Sequence, residues 1–253
     1  MLIATWVFWV GRWQYAHIPP KGTSFLRELL DTANLQAISR LAPLFFFSAF
    51  FWSLYDQTGS AWVLQAKHMD RYWMGIEWLP SQIQVVNPFL IMVLIPVFSY
   101  VIYPLIEKIY HLTPLRKIGI GFFVTVIAFV LSAKIELLIM EGHHPNIVWQ
   151  LLAFVVITSA EVMVSITCLE FSYTQAPRAL KSVIMALFLL SVSFGNAFTS
   201  LVNYFIQNED GSVVLEGAMY YWFFAGVMFA ASLAFIWVAQ HYRGKTYLQG
   251  GGV

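Results

Sequence analysis

Six stretches of this chain are each long enough and apolar enough to cross a membrane, and nothing else in the sequence restricts its fold as much. A hydrocarbon layer about 30 Å thick needs about 20 helical residues. Runs near 41–66, 81–106, 118–140, 147–173, 181–206 and 218–240 meet that length. A backbone inside lipid has no water to bond to, which leaves helices or a closed barrel. The short alternating segments of a barrel are not seen here, so the expected fold class is an all-α integral membrane protein built as a six-helix bundle. Composition agrees: 59% of residues are hydrophobic, 11% are charged, and mean hydropathy is +0.69. A net charge of +1 gives no reason to invoke a nucleic-acid partner, whereas the lipid bilayer is a required one.

Charge placement orients the spans. Arg12, Lys21, Arg27, Arg40, Lys108, Arg116, Lys117, Arg178, Lys181, Arg243 and Lys245 fall on one side of the expected bundle, and only Lys67, Arg71 and Lys134 on the other. The excess of Lys and Arg marks the cytoplasmic side. Both ends of the six-span block, the carboxy terminus included, are therefore expected on the cytoplasmic face of a cell (inner) membrane. The loop Asn208–Glu216 is acidic, as an outside loop can be.

Residues 1–12 read as the end of a truncated transmembrane helix. Met1–Val10 is apolar, yet ten helical residues rise only about 15 Å, half the layer. Residues 13–40 read as a cytoplasmic connector, carrying either a short amphipathic helix around Ser24–Leu35 or a plain surface linker. Residues 244–253 are glycine-rich and are expected to be disordered. Six helices behind a partial one match the second half of a twelve-helix transporter, in which two bundles enclose a site near the midplane.

Glu161 stands in the middle of the apolar run from Ile147 to Cys168. A charge at that depth costs about 2.5–3.5 kcal/mol on insertion scales, so an acid there marks function by default. Thr158, Glu161, Ser165 and Cys168 recur at helical spacing, which predicts one polar stripe facing water or protein. Asp56 is the second such acid; it needs a wet vestibule or a cation, and no basic residue of this chain lies deep in a span. Trp52, one turn before it, is either a pocket aromatic or ordinary core. Asn87 precedes Pro88, and its amide either satisfies backbone freed by the proline or faces a ligand. Ser191, Ser193, Gly195, Asn196, Thr199 and Asn203 of the fifth span suit close helix packing. Cys168 reads as a small packing residue, Lys134 as snorkelling beside Glu136 near the membrane face, and His143-His144 as a solvated loop. Phosphate loops, zinc motifs and paired cysteines are missing from the sequence, so no metal or cofactor is expected and an enzyme is not. An intramembrane enzyme using Glu161 needs a second catalytic group, and none is evident. A non-transporting receptor or assembly partner on the same bundle is the alternative reading.

Several segments carry a family resemblance. The sequence Trp52-Ser53-Leu54-Tyr55-Asp56-Gln57-Thr58-Gly59-Ser60-Ala61-Trp62 closely resembles the seventh helix of proton-dependent oligopeptide transporters. Gln84-Val85-Val86-Asn87-Pro88 resembles their eighth. Glu161 to Ala176-Pro177, through Glu170-Phe171-Ser172-Tyr173-Thr174-Gln175, resembles their tenth. Gly11-Arg12 with Ile18-Pro19-Pro20 is similar to the end of the sixth helix and the start of the linker. The resemblance implies the carboxy-terminal six-helix bundle of a major facilitator superfamily fold, moving di- and tripeptides inward with protons as the coupling ion and inactive without an amino-terminal six-helix bundle. It implies that Glu161 meets the peptide amino terminus and takes part in proton coupling, with Ser165 lining the same pocket. Trp52 becomes a pocket aromatic, Asn87 holds the peptide backbone, and Asp56 forms a gate salt bridge with an arginine of the first helix. Phe188 stands where the family often has a tryptophan in its eleventh helix. The two extra helices of many bacterial members have no room here.

Overall fold

The computed structural model describes Trp6 and Trp9 and residues 30–177, 180–207 and 213–242. Most of the expected amino-terminal stub and of the connector, all of the 244–253 tail, and the basic residues Arg12, Lys21, Arg27, Arg178, Arg243 and Lys245 lie outside them.

Six helices long and apolar enough to cross a membrane run through the described residues: Thr32–Ala66, Pro80–Glu107, Pro114–Met140, Val148–Thr174, Lys181–Ile206 and Ala218–His241. They are called the first to sixth spans below. The helix of the first begins at Thr32 rather than near 41, so its opening turns take in residues 32–40. Those residues include the helix formers Ala33, Leu35, Gln36 and Ala37 and lack Gly and Pro, and Ala37 and Leu41 are already buried. Hydropathy alone misses such turns because Asn34, Gln36, Ser39 and Arg40 dilute the apolar signal.

The first span packs along the fifth, the third along the sixth, and the fourth lies between the second and third. Aromatic side chains fill the centre: Phe51, Trp62, Phe122, Phe129, Phe154, Phe224 and Phe235 are fully buried. Trp62 meets Phe154 edge-on at 5.0 Å, and Phe122 meets Phe235 in the same way at 5.0 Å, the geometry favoured by ring quadrupoles. The most apolar window of the second span is 6% buried, against 56% for those of the first and fourth. An apolar helix left this uncovered needs lipid or a partner helix around it. Hydroxyls within the spans bond back to carbonyls four residues earlier, as Ser48 to Leu44 (2.9 Å), Thr125 to Gly121 (3.0 Å), Ser172 to Cys168 (2.7 Å) and Ser232 to Met228 (2.7 Å). Each donor is thereby satisfied where no water reaches.

Irregular turns shape the spans. The α-helix of the first ends at Tyr55, tightens into a 3₁₀ turn over Asp56–Gly59, and resumes at Ala61–Ala66. Ser60 sits at φ −130°, ψ −81°, outside the helical region, which breaks the hydrogen-bond ladder beside Asp56. Gln57 repairs part of it by donating to the Ser53 carbonyl at 2.9 Å. Phe98–Ile102 in the second span and Val162–Ile166 in the fourth are π-helical, and they pack on each other through Phe98, Val162 and Met163. Such single wide turns are frequent at functional sites.

A hairpin joins the first and second spans, with β1 (Tyr72–Trp73) antiparallel to β2 (Ile76–Glu77). Met74 at φ 53° and Gly75 at φ 80° make the turn, whose left-handed backbone suits glycine. Asp70 anchors the hairpin to the connection before the fourth span, its carboxylate accepting from the Tyr72 N–H (3.0 Å) and from Asn146 Nδ2 (2.9 Å). Those two donors hold the Asp70 carboxyl below its ordinary range, the backbone N–H contributing most.

Gly195 lets the fifth span lie directly on the first. A Cβ there would run into the Ala49 carbonyl oxygen and would come within 2.7 Å of Ser53 N and 3.0 Å of Trp52 Cβ. Ser53 Oγ and Thr199 Oγ1 close the same contact at 2.7 Å. Helices in lipid gain no hydrophobic advantage from pairing, so close backbone approach and such bonds hold them. Gly195→Val should therefore cost about 1–3 kcal/mol through overpacking and lower the thermal midpoint of the detergent-solubilised protein by several degrees. An unchanged midpoint would show that the spans do not pack at this glycine.

Candidate functional site

Glu161 is the last residue of a regular α-helical stretch, Val148–Glu161, immediately before the π-helical turn of the fourth span. Its Oε2 accepts a hydrogen bond of 3.0 Å from Asn87 Nδ2, and the same nitrogen donates to Thr158 Oγ1 at 3.0 Å. Asn87 thus ties the second span to two successive turns of the fourth. Pro88 lies in the first turn of the helix Val86–Val97, where the N–H it lacks matters least. From the first span, Tyr55 lies close to Glu161 and Asn87. The ring of Tyr55 stacks on Phe51 at 5.7 Å and meets Trp52 edge-on at 5.5 Å. Tyr55, Asp56, Asn87 and Glu161 are all half-buried, so the cluster stays open on one side.

Asp56 follows Tyr55 directly and opens the 3₁₀ turn of the first span. Its Oδ2 accepts from Asn196 Nδ2 of the fifth span at 2.6 Å. Neither acid forms an ion pair among the described residues. A carboxylate fixed by neutral donors, with no fixed cation against it, can take up a proton or bind an ammonium or guanidinium group.

The structure joins two more of the residues singled out in the sequence. Trp52 and Phe188 meet edge to face, with centroids 5.7 Å apart and planes at 89°. Both are buried, and the Trp52 indole Nε1 has no hydrogen-bond partner among the described residues. Ser165 is half-buried and makes no hydrogen bond to the Glu161 cluster. The expected stripe does not continue as one face, because the π-helical turn at Val162–Ile166 inserts extra backbone between Glu161 and the helix beyond it. Thr158 and Glu161 turn to Asn87, while Cys168 is buried against the first span with Sγ 3.5 Å from Ser48 Oγ.

Tyr55, Thr158 and Asn196 take larger parts than the sequence pattern indicates. Helical spacing puts Thr158 on the right face but gives it no partner, and the small-residue pattern around Asn196 points to packing alone. The signal for Tyr55 is its position one residue before Asp56 and three after Trp52. A second polar network, near the hairpin, links the first, third and fourth spans. Gln65 Nε2 donates to Glu136 Oε2 at 2.7 Å and to the Ser132 carbonyl at 3.0 Å, and Gln150 Nε2 donates to the Trp62 carbonyl at 2.8 Å. Glu136 therefore turns inward to Gln65 while Lys134 is exposed. His144 lies with Nδ1 3.1 Å from the His68 carbonyl. Among the described residues no three metal-ligating side chains converge.

Thr158→Val keeps the shape of the side chain and removes one acceptor of the Asn87 amide. The lost hydrogen bond should cost about 0.5–1.5 kcal/mol and lower the thermal midpoint modestly. Equal stability of the variant would mean that Asn87 does not depend on Thr158.

Known proteins share this arrangement of spans. Residues 27–223 match the model of the POT family. Peptide transporter 3 of Caenorhabditis elegans is 37% identical over 115 residues, which are 46% of this chain and 16% of that protein. Protein NRT1/PTR family 8.2 of Arabidopsis thaliana is 28% identical over 248 residues, covering 87% of this chain and 43% of that protein. The crystal structure of an auto-inhibited POT family peptide transporter superposes with a TM-score of 0.85 at 26% identity, over 99% of this chain and 64% of the other. The chain thus spans less than half the length of these two curated relatives.

Proposed function

The chain belongs to the POT family, and we propose that it forms the carboxy-terminal half of a proton-coupled symporter of di- and tripeptides. A second six-helix bundle completes the transporter in this reading, and the chain alone does not transport. The likeness to a solved POT family peptide transporter over 99% of the chain, and to peptide transporter 3 over 46% of it, supports the substrate class. The observation that carries the mechanism is Glu161, an acid inside an apolar bundle held by Asn87, beside Tyr55, and without a cation among the described residues.

In this reading the substrate's amino group and a proton use the Glu161 carboxylate in alternation. A peptide ammonium favours the charged form, and an apolar environment without it favours the neutral one. Rocking of two bundles about the site moves Glu161 between such environments. Trp52 and Phe188 supply the aromatic wall for peptide side chains, and Ser165 borders the pocket one turn beyond Glu161 on the fourth span. The carbonyl of Asn87 faces the peptide backbone, its amide nitrogen being engaged with Glu161 and Thr158. Asp56 pairs with an arginine of the amino-terminal bundle to close the gate on the hairpin side, which faces outward. The opposite end of the bundle, with Lys108, Arg116, Lys117 and Lys181, lies in the cytoplasm of a cell membrane, as the positive-inside bias supports.

Glu161→Gln keeps size and hydrogen bonding but cannot titrate. A proton moving inward carries about 2.3 kcal/mol per 100 mV of membrane potential. In the complete transporter the variant should lose dipeptide accumulation under an imposed proton gradient, while counterflow exchange persists as far as binding does. Uphill accumulation equal to the parent's would falsify a coupling role for Glu161.

Asp56→Asn removes the charge that only the outward-closed state pairs, so populations should shift toward the open outer face. Spin-label distances across that face in the complete transporter should lengthen on average. If the distance distributions stay as in the parent, Asp56 serves packing or solvation instead.

A further inference from the structure

Neither the family match nor the charge pattern assigns a role to Asn196 of the fifth span. We propose that Asn196 is a positioning residue for Asp56: its amide holds the carboxylate whenever no cation does, and it competes with that cation for one oxygen. This rests on the reading of Asp56 as a gate residue.

Asn196 Nδ2 lies 2.6 Å from Asp56 Oδ2. The contact is set by backbone packing on both sides of it. Gly195 brings the fifth span against Ala49, Trp52 and Ser53. Thr199, one turn further, donates to the Ser53 carbonyl at 3.1 Å and meets Ser53 Oγ at 2.7 Å. Ser53 and Asp56 are three residues apart, on one face of the first span. With Gly195 and Thr199 locked to Ser53, the side chain between them is delivered to Asp56.

Packing does not require an amide at this position. Asn196 is exposed, and Phe194, Ala197 and Phe198 surround it in the sequence. An apolar residue would be cheaper there in a membrane span, so the polar group answers to Asp56. A neutral amide donor satisfies a carboxylate more weakly than a guanidinium, which engages both oxygens in a fork. Oδ2 is one of the two oxygens such a fork needs. Asn196 thus stabilises the unpaired acid of the open state and gives way when the gate closes.

The sign of the effect separates this role from packing. Removing the donor raises the energy of the state in which Asp56 has no cation, so Asn196→Ala should shift the complete transporter toward the outward-closed state by up to about tenfold. Spin-label distances across the outer face should shorten on average, opposite to the change expected for Asp56→Asn. Asn196→Leu should shift them in the same direction. In the Asp56→Asn background, Asn196→Ala should have no further effect on the distances, because position 56 then carries no charge for a cation to take from the amide. An equal shift in both backgrounds would overturn the proposal and assign Asn196 to packing. A shift with Asp56→Asn but none with Asn196→Ala would overturn it while the gate reading stands. If neither single variant moves the distances, the gate reading fails and this inference with it.

Discussion

The amide of Asn87 donates to two acceptors on the fourth span, and the relation of the second and fourth spans at the site depends on that bridge. A carboxylate inside an apolar bundle is costly unless hydrogen-bonded, and leaving its donors behind is costly in turn. Glu161 can therefore keep its place only if the second span stays where Asn87 reaches it. The functional group and the packing are the same constraint. That explains why the second span, otherwise hardly covered by the bundle, is fixed at this point by a polar contact.

The neighbouring first and fifth spans solve the opposite problem, contact without hydrophobic driving force. Gly195 removes a side chain, and Ser53 with Thr199 replaces it by hydrogen bonds. Overpacking there would separate the helices and carry Asn196 away from Asp56 along with them. The small polar residues of the fifth span therefore act in two ways. Some admit the backbone, and Asn196 uses the proximity this creates.

Much of the architecture is legible in the sequence because lipid imposes a coarse rule, long apolar helices, that hydropathy reports directly. Glu161 and Asp56 stand out by the same rule, since a charge interrupts such a run. The start of the first span is not legible, because the opening turns at Thr32–Arg40 are polar on their outer face and gain their helix from Ala37 and Leu41 packing inward. Nor is the split of the Thr158–Cys168 stripe: one π-helical turn changes which residues share a face, and no residue type in Val162–Ile166 announces it. Pairwise partners are the least readable of all. That Gln65 meets Glu136, or Asn196 meets Asp56, depends on helix rotation and register, which a single sequence does not record. The family resemblance supplies roles for Trp52, Asn87 and Phe188, and the geometry supplies the contacts among them and their neighbours.

The break in the first span gives Tyr55 and Asp56 different settings. Tyr55 closes the regular helix and Asp56 opens the 3₁₀ turn, so adjacent residues report to different parts of the molecule. Tyr55 packs with Phe51 and Trp52, while Asp56 accepts from Asn196. A rigid α-helix through Gly59 would hold both side chains in a fixed relation, whereas a ladder already interrupted at Ser60 lets the turn rewind at small cost. The two acids are thus held by amides from different spans, Glu161 by Asn87 of the second and Asp56 by Asn196 of the fifth, with Asp56 itself set in the interrupted turn of the first.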